Sequence, residues 1–184
     1  NDYFHGRFDQ KNGYRWAMKY VSKIAAVSNE VKSSLIMKRR IPAYKIITIH
    51  NAVDLDRYYV HNKERICKMK QSIQIPAHVF VLGIVARLDT PKAHWVLIEA
   101  LREILKIHDV FLLVVGEGPQ YAALKKQVDD YGLSDSVQFL GKRTDIPDLL
   151  NIMDAFCLPS IFEGLSNVIL EAMASGIPCI STAT

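Results

Sequence analysis

Two carboxylates bracket a single helix start in this sequence. The loop Pro159-Ser160-Ile161-Phe162-Glu163-Gly164-Leu165-Ser166-Asn167 runs into Val168-Ile169-Leu170-Glu171, so Glu163 precedes the helix and Glu171 follows just over one turn inside it. An ionised carboxylate only accepts hydrogen bonds and can take two hydroxyls at once, which suits the paired hydroxyls of a sugar or a ribose. The amides of Leu165, Ser166 and Asn167 fall in the first turn, where N–H groups have no intrahelical acceptor. With Gly164 allowing close backbone approach, they can receive phosphate or sugar oxygens. Taken singly, either acid is equally an ordinary surface charge.

Three other loops carry related chemistry. In Ala86-Arg87-Leu88-Asp89-Thr90-Pro91-Lys92, Thr90 is a good N-cap and Pro91 suits the first helical position, which puts Lys92 in the first helical turn. A cation there opposes the helix dipole, and two cations, Arg87 and Lys92, at one helix start make sense around an anion. Gly116-Glu117-Gly118-Pro119 resembles half of a dinucleotide fingerprint, but position 121 is Tyr and not Gly. Its glycines are read as a tight turn with backbone close to a ligand. Gly141-Lys142-Arg143-Thr144-Asp145, before Ile146, adds a glycine and two cations, or is a plain polar turn.

The elements that must hold these loops alternate. Lys23–Val27 and Lys45–His50 read as strands, flanking a helix over Asn29–Arg39 that Asn29 caps. The charged, Tyr-rich stretch that follows has no strand signal and one surface helix, His61–Gln74. After Pro76 come strand Val79–Ala86, helix Pro91–Ile107, strand Val110–Val115, helix Gln120–Tyr131, strand Val137–Leu140, helix Pro147–Met153, strand Ala155–Leu158, helix Ser166–Ser175 and strand Pro178–Ser181. These strands are continuously apolar, as in parallel sheets covered on both faces. The expected fold class is therefore α/β, a Rossmann-like doubly wound parallel sheet. Such sheets bind ligands beyond the carboxyl ends of their strands, which is where the four loops fall. The expected division is residues 1–55 as the end of one domain, 56–76 as a connector and 77–184 as a ligand-binding domain.

Composition narrows the function. The 184 residues are 49% hydrophobic with a formal net charge of +4, too mild for a nucleic-acid footprint and compatible with an anionic substrate. No apolar run reaches the ~18 residues of a membrane span. The start, Asn-Asp-Tyr-Phe-His, has no signal-peptide character. Cys67, Cys157 and Cys179 are odd in number and far apart, two of them in strand-like runs. They read as buried, reduced thiols of a cytoplasmic protein. The run Lys38-Arg39-Arg40 reads as a solvated helix end, with peripheral contact at the inner face of a membrane as the alternative. Asp54-Leu55-Asp56 has a D-x-D form but reads as a turn, and no His/Cys cluster has metal spacing. Neither a P-loop nor a Gly-x-Ser-x-Gly elbow is present.

The run Pro159-Ser160-x-x-Glu163-Gly164-Leu165-Ser166-Asn167-x-x-Leu170-Glu171-Ala172-Met173-Ala174-x-Gly176-x-Pro178 resembles the E-x(7)-E signature of glycosyltransferase family 4. Val27-Ser28, Lys45-Ile46, His50–Asp54, Ala86-Arg87-Leu88 with Lys92, Gly116-x-Gly118-Pro119 and Val137-x-Phe139-x-Gly141 match in order and spacing. The resemblance covers about residues 20–184 and implies GT-B architecture, two Rossmann-like domains facing across a cleft. It implies retaining transfer from a nucleoside-diphosphate sugar to a glycan or lipid-linked acceptor, as in surface polysaccharide biosynthesis, with no metal or other cofactor. By position, Arg87 and Lys92 bind the pyrophosphate, Glu163 meets the donor sugar or its phosphate, Gly116, Gly118 and Gly164–Asn167 approach sugar and phosphate oxygens, Arg143 and Ile146 line the base pocket, and Glu171 holds the ribose.

Two residues depart from the pattern. Ala93 stands where the family has Gly after the Lys, and Ala52 replaces a Gly after Asn51. Against the family, this sequence also stops before the last strand and helix and carries little of the acceptor domain, so alone it is expected to be inactive. Departure of the diphosphate is the hard step. Fixed positive potential from Arg87, Lys92 and the helix amides would stabilise it, each charge-assisted bond contributing roughly 1.5–3 kcal/mol. A GT-B epimerase or phosphorylase, or a non-catalytic nucleotide-sugar-binding module, would use the same pocket.

Overall fold

The computed structural model describes residues 20–76 and 78–182. The polar, aromatic start of the chain, Asn1–His5, lies outside the described residues. The chain divides into two compact units, Asn1–Asn51 and Ala52–Thr184.

In the first unit, strands β1 (Ile24–Ala26) and β2 (Ile46–Thr48) pair in parallel beside helix α1 (Asn29–Arg39). The cap of α1 is Ser28, one residue before the expected Asn29: its hydroxyl accepts the Val31 amide at 3.1 Å. Asn29 uses its side chain elsewhere, accepting the Thr48 hydroxyl at 3.0 Å. Arg40, left-handed at φ 55°, ends the helix. Ala26, Ile41 and Ile46 form the small core.

The second unit begins with a segment that packs into it. The Asp54 carboxylate accepts the Asp56 amide at 3.0 Å, so Asp54-Leu55-Asp56 is a turn. Helix α2 (Lys63–Ser72) is capped by Asn62. The buried Asn151 amide straps the approach to it: its oxygen accepts the His61 amide at 2.7 Å, and its nitrogen donates to the Tyr59 carbonyl at 3.0 Å. Tyr58, Ile73 and Ile75 join the main core.

Five parallel strands then follow: β3 (Phe80–Val85), β4 (Val110–Val115), β5 (Val137–Gly141), β6 (Ala155–Leu158) and β7 (Cys179–Ser181). Helices α3 (His94–Ile104), α4 (Tyr121–Asp130), α5 (Ile146–Asn151) and α6 (Asn167–Ala174) connect them. The order across the sheet is β5-β4-β3-β6-β7. The apolar runs are continuous because both faces are covered: Val81, Ile84, Leu112, Leu113 and Phe156 are fully buried. This is the expected doubly wound α/β sheet. From β3 the chain moves outward through β4 to β5, then crosses back to β6 on the other side of β3. The switch point, where such sheets leave a crevice, lies between β3 and β6.

One expected helix is broken near its start, and the helix expected over His61–Gln74 is shorter, Lys63–Ser72. Pro91–Ile107 is not continuous: Thr90–Lys92 form a 3-10 turn, Ala93 takes a left-handed conformation (φ 50°, ψ 39°), and α3 starts at His94. The αL residue breaks the helical register, so Lys92 sits on a turn ahead of α3 and not within its first turn. Thr90 does not cap α3 either.

Among the described residues, no helix is long and apolar enough to cross a membrane. All three cysteines are free. Cys157 is buried on β6, and burial pushes its thiol up to about 11. Cys179 is half-buried on β7, whereas Cys67 on α2 is exposed, contrary to the expectation of burial. A helix face of an otherwise charged segment leaves that thiol in solvent.

Candidate functional site

The loop after β3 is fixed from below. Leu88 is fully buried; its amide donates to the Glu117 carbonyl at 3.1 Å, and its carbonyl accepts the Gln120 amide at 2.9 Å. Those bonds lay residues 86–88 against the glycine loop after β4. A Cβ on Gly116 would stand 1.9 Å from the Ala86 carbonyl oxygen, at a φ of 137° that disfavours any side chain, and a Cβ on Gly118 would stand 2.4 Å from the Leu88 carbonyl oxygen. Both glycines are therefore required by the neighbouring backbone. Gly116 supports the loop, and Gly118 also lines a cleft.

That cleft, of about 630 Å³, is lined by Arg87, Glu117, Gly118 and Lys142. The Arg87 side chain is 71% exposed, its Nε 3.7 Å from Asp89, so the pairing is loose and the guanidinium can turn to an incoming anion. Lys142 is one of two adjacent cations after β5, and nothing in the local sequence ranks it above Arg143. The structure separates them. Arg143 donates to both carboxylate oxygens of Asp145, at 2.8 and 2.6 Å, which holds that carboxyl below its ordinary range. A bidentate pair of this kind satisfies the planar guanidinium, so Arg143 is committed within its own loop.

The loop after β6 meets the loop after β3 across the switch point. The Ile161 amide donates to the Pro91 carbonyl at 2.8 Å. Lys92 donates to Oε1 of Glu163, with the two side chains 25% and 20% exposed. The hydroxyl of buried Ser160 donates to the same oxygen at 3.3 Å, and the Ser160 carbonyl accepts Thr182 Oγ1 at 2.5 Å. A second cleft, of about 260 Å³, is lined by Glu163, Gly164, Leu165, Ser166, Thr182 and neighbours. Ser166 precedes α6 without a side-chain cap bond, and Asn167 is its exposed first residue. Ser160 and Thr182 are supports that the sequence does not single out: Thr182 reaches the Ser160 carbonyl from 22 residues away, and Ser160 meets Glu163 only through the turn of their shared loop.

Glu163 lines the second cleft, and Glu171 lies further along, on α6 near Tyr58. Burial first, then the Glu171 charge, raises the Tyr58 phenol above its ordinary value. Ile146, opening α5, packs half-buried against the core. Each of the two cations has a carboxylate nearby, Asp89 loosely beside Arg87 and Glu163 bonded to Lys92.

Under this loop lies His94, 2% exposed, with neither ring nitrogen hydrogen-bonded. Burial lowers its pKa to about 4 from 6.5, with Asp89 opposing and Lys92 assisting. The folded protein thus refuses a proton that the unfolded chain accepts below pH ~6.5. Stability is complete above pH 6.5 and falls as the pH drops from there to about 4, by about 3 kcal/mol. Urea midpoints at pH 7 and 4.5 should show this loss in the wild type and a smaller one in His94→Gln. An equal loss in both would refute the assignment.

The family model "Glycosyl transferases group 1" matches residues 65–184. The chain is 33% identical over 180 residues to an Escherichia coli UDP-Gal:alpha-D-GlcNAc-diphosphoundecaprenol alpha-1,3-galactosyltransferase, covering 91% of this chain and 45% of that protein. It is 31% identical over 144 residues to the N-acetyl-alpha-D-glucosaminyl L-malate synthase of Bacillus anthracis, covering 77% and 36%. The chain thus spans less than half the length of these relatives. Among solved structures, Anabaena HepE in complex with UDP-glucose superposes with a TM-score of 0.83 at 29% identity, over 95% of this chain and 49% of HepE. The lipopolysaccharide glycosyltransferase WaaG reaches 0.82 at 19% identity, over 100% and 52%, a likeness of fold alone. With the family model covering more than half of the sequence and the same sheet recurring in these structures, the chain belongs to the group 1 glycosyl transferases, as one Rossmann-like half of a GT-B fold with part of the other.

Proposed function

We propose that the protein is a retaining glycosyltransferase that moves a sugar from a nucleoside-diphosphate sugar to a glycan or lipid-linked acceptor, in polysaccharide biosynthesis. The observation that carries this reading is the meeting of Lys92 and Glu163 across the β3/β6 switch point, with Arg87 at the same sheet edge. Arg87 and Lys92 bind the diphosphate and stabilise it as it departs. Glu163 and the backbone from Gly164 to Asn167 meet the sugar, and Glu171 takes the ribose hydroxyls once the base is seated near Ile146. Lys142 adds positive charge to the Arg87 cleft. No metal is assigned a role. We place the reaction in the cytoplasm, at the inner membrane face where the acceptor is lipid-linked. The resemblance to HepE, whose structure holds UDP-glucose, supports a sugar nucleotide as donor and makes UDP the first probe.

A panel of labelled sugar nucleotides, offered to the full-length protein with acceptor, tests this. Transfer with retained anomeric configuration is expected; epimerised product or phosphorolysis would replace the reading, and silence would favour a binding module. Arg87→Ala should weaken UDP binding by about tenfold, one charge-assisted contact's worth. Unchanged affinity by calorimetry would remove Arg87 from the diphosphate.

A further inference from the structure

Lys92 and Arg87 differ in what a diphosphate would have to displace. Arg87 is largely exposed and 3.7 Å from its carboxylate. Lys92 is bonded to Glu163 in a part-buried pair, and the same carboxylate oxygen also takes the Ser160 hydroxyl. The pair is held from both sides: Ile161 is tied to Pro91 on the Lys92 loop, and Ser160 to Thr182. Without ligand, Lys92 is therefore already neutralised by an acid belonging to the protein. A phosphate that takes the ammonium must push the Glu163 carboxylate aside, and the carboxylate stays within reach of whatever group is attached to that phosphate.

We infer that Glu163 competes with the diphosphate for Lys92 and so discriminates between the sugar nucleotide and the free nucleoside diphosphate. The inference rests on the diphosphate reading of the site given above. When a sugar nucleotide binds, the displaced carboxylate meets sugar hydroxyls, which are donors it can accept. When the free nucleoside diphosphate binds, the carboxylate faces a terminal phosphate instead. That phosphate has a second ionisation near pH 6 and carries close to two charges at neutral pH, whereas the sugar-linked phosphate carries one. Like charges in a part-buried cleft are poorly screened. The same exchange thus costs less for substrate than for product, and after transfer Glu163 reclaims Lys92 and helps expel the product.

The test is calorimetric titration of UDP and of UDP-glucose into the full-length wild type and the isosteric Glu163→Gln variant, with Glu163→Ala as the second variant and thermal melts to confirm folding. Glu163→Gln should bind UDP about fivefold more tightly than the wild type, the share that a part-buried pair contributes, while UDP-glucose binding does not gain, so the preference for the sugar nucleotide shrinks. Glu163→Ala should shift UDP affinity in the same direction. If the wild type binds UDP and both variants bind it equally well or more weakly, the inference is overturned and the diphosphate reading stands. If the wild type does not bind UDP at all, the reading fails, and the inference with it.

Discussion

Lys92→Ala is expected to weaken UDP binding by about 100-fold, more than any other single change at the site. One charge-assisted bond to phosphate is worth about 1.5–3 kcal/mol, or roughly ten- to 100-fold. The upper end applies because Lys92 neutralises Glu163 as well. Once the ammonium is gone, the carboxylate remains in the cleft with nothing to offset it, and it repels the incoming diphosphate. The pair is 25% and 20% exposed, so the uncompensated carboxylate should cost some stability as well as binding. Calorimetry against UDP and a urea melt separate the two. A variant that keeps its UDP affinity would show that Lys92 pairs with Glu163 for structural reasons only. The double variant Lys92→Ala with Glu163→Gln should recover part of the affinity, since it removes the repelling charge.

Gly116→Ala is expected to destabilise the protein by about 4 kcal/mol, a large part of the roughly 5–15 kcal/mol that holds a typical domain folded. The new methyl would stand 1.9 Å from the Ala86 carbonyl oxygen, a backbone atom that cannot swing away, at a φ of 137° that L side chains rarely adopt. Ala86 is itself tied to Val115, its amide donating to the Val115 carbonyl at 3.0 Å, so relief would require parting β3 from β4 just where the loops start. Gly132→Ala is the control. It also has a positive φ, at 67°, but nothing lies within 4 Å of the added Cβ, so it should cost only about 1 kcal/mol. Urea denaturation of the two variants checks the difference. Equal losses would mean that backbone conformation, and not the Ala86 contact, sets the need for glycine.

How much of the site could be read from sequence depends on how local its causes are. The strands after Pro76 were legible because a strand buried on both faces must be apolar at every position, and Val110–Val115 is. The helix that carries Glu171 was placed to within a residue at its ends. Capping proved less certain where two candidates adjoin: Ser28 and Asn29 both suit an N-cap, and the outcome turned on Thr48, which engages Asn29 from another strand. The break at Ala93 is hidden by its own residue type, because alanine is the strongest helix former, and only the glycine that the family has at this position hints at a left-handed turn. Ala93 closes the 3-10 turn Thr90–Lys92, its amide donating to the Thr90 carbonyl at 3.1 Å.

The sequence by itself determined the parallel sheet, the four loops at its carboxyl edge and the residue types available there, since periodicity, helix starts and turn residues are properties of short segments. Which residues of different loops meet follows from the sheet crossing. Strand order put β6 beside β3, and this brings Glu163 to Lys92 from 71 residues away. It also brings Lys142 to the Arg87 cleft, whereas Arg143 finds Asp145 two residues away in its own loop. Charges of one type are interchangeable in a sequence, but a hydrogen bond forms only within about 3 Å, and between loops that distance is set by the sheet crossing rather than by any local pattern.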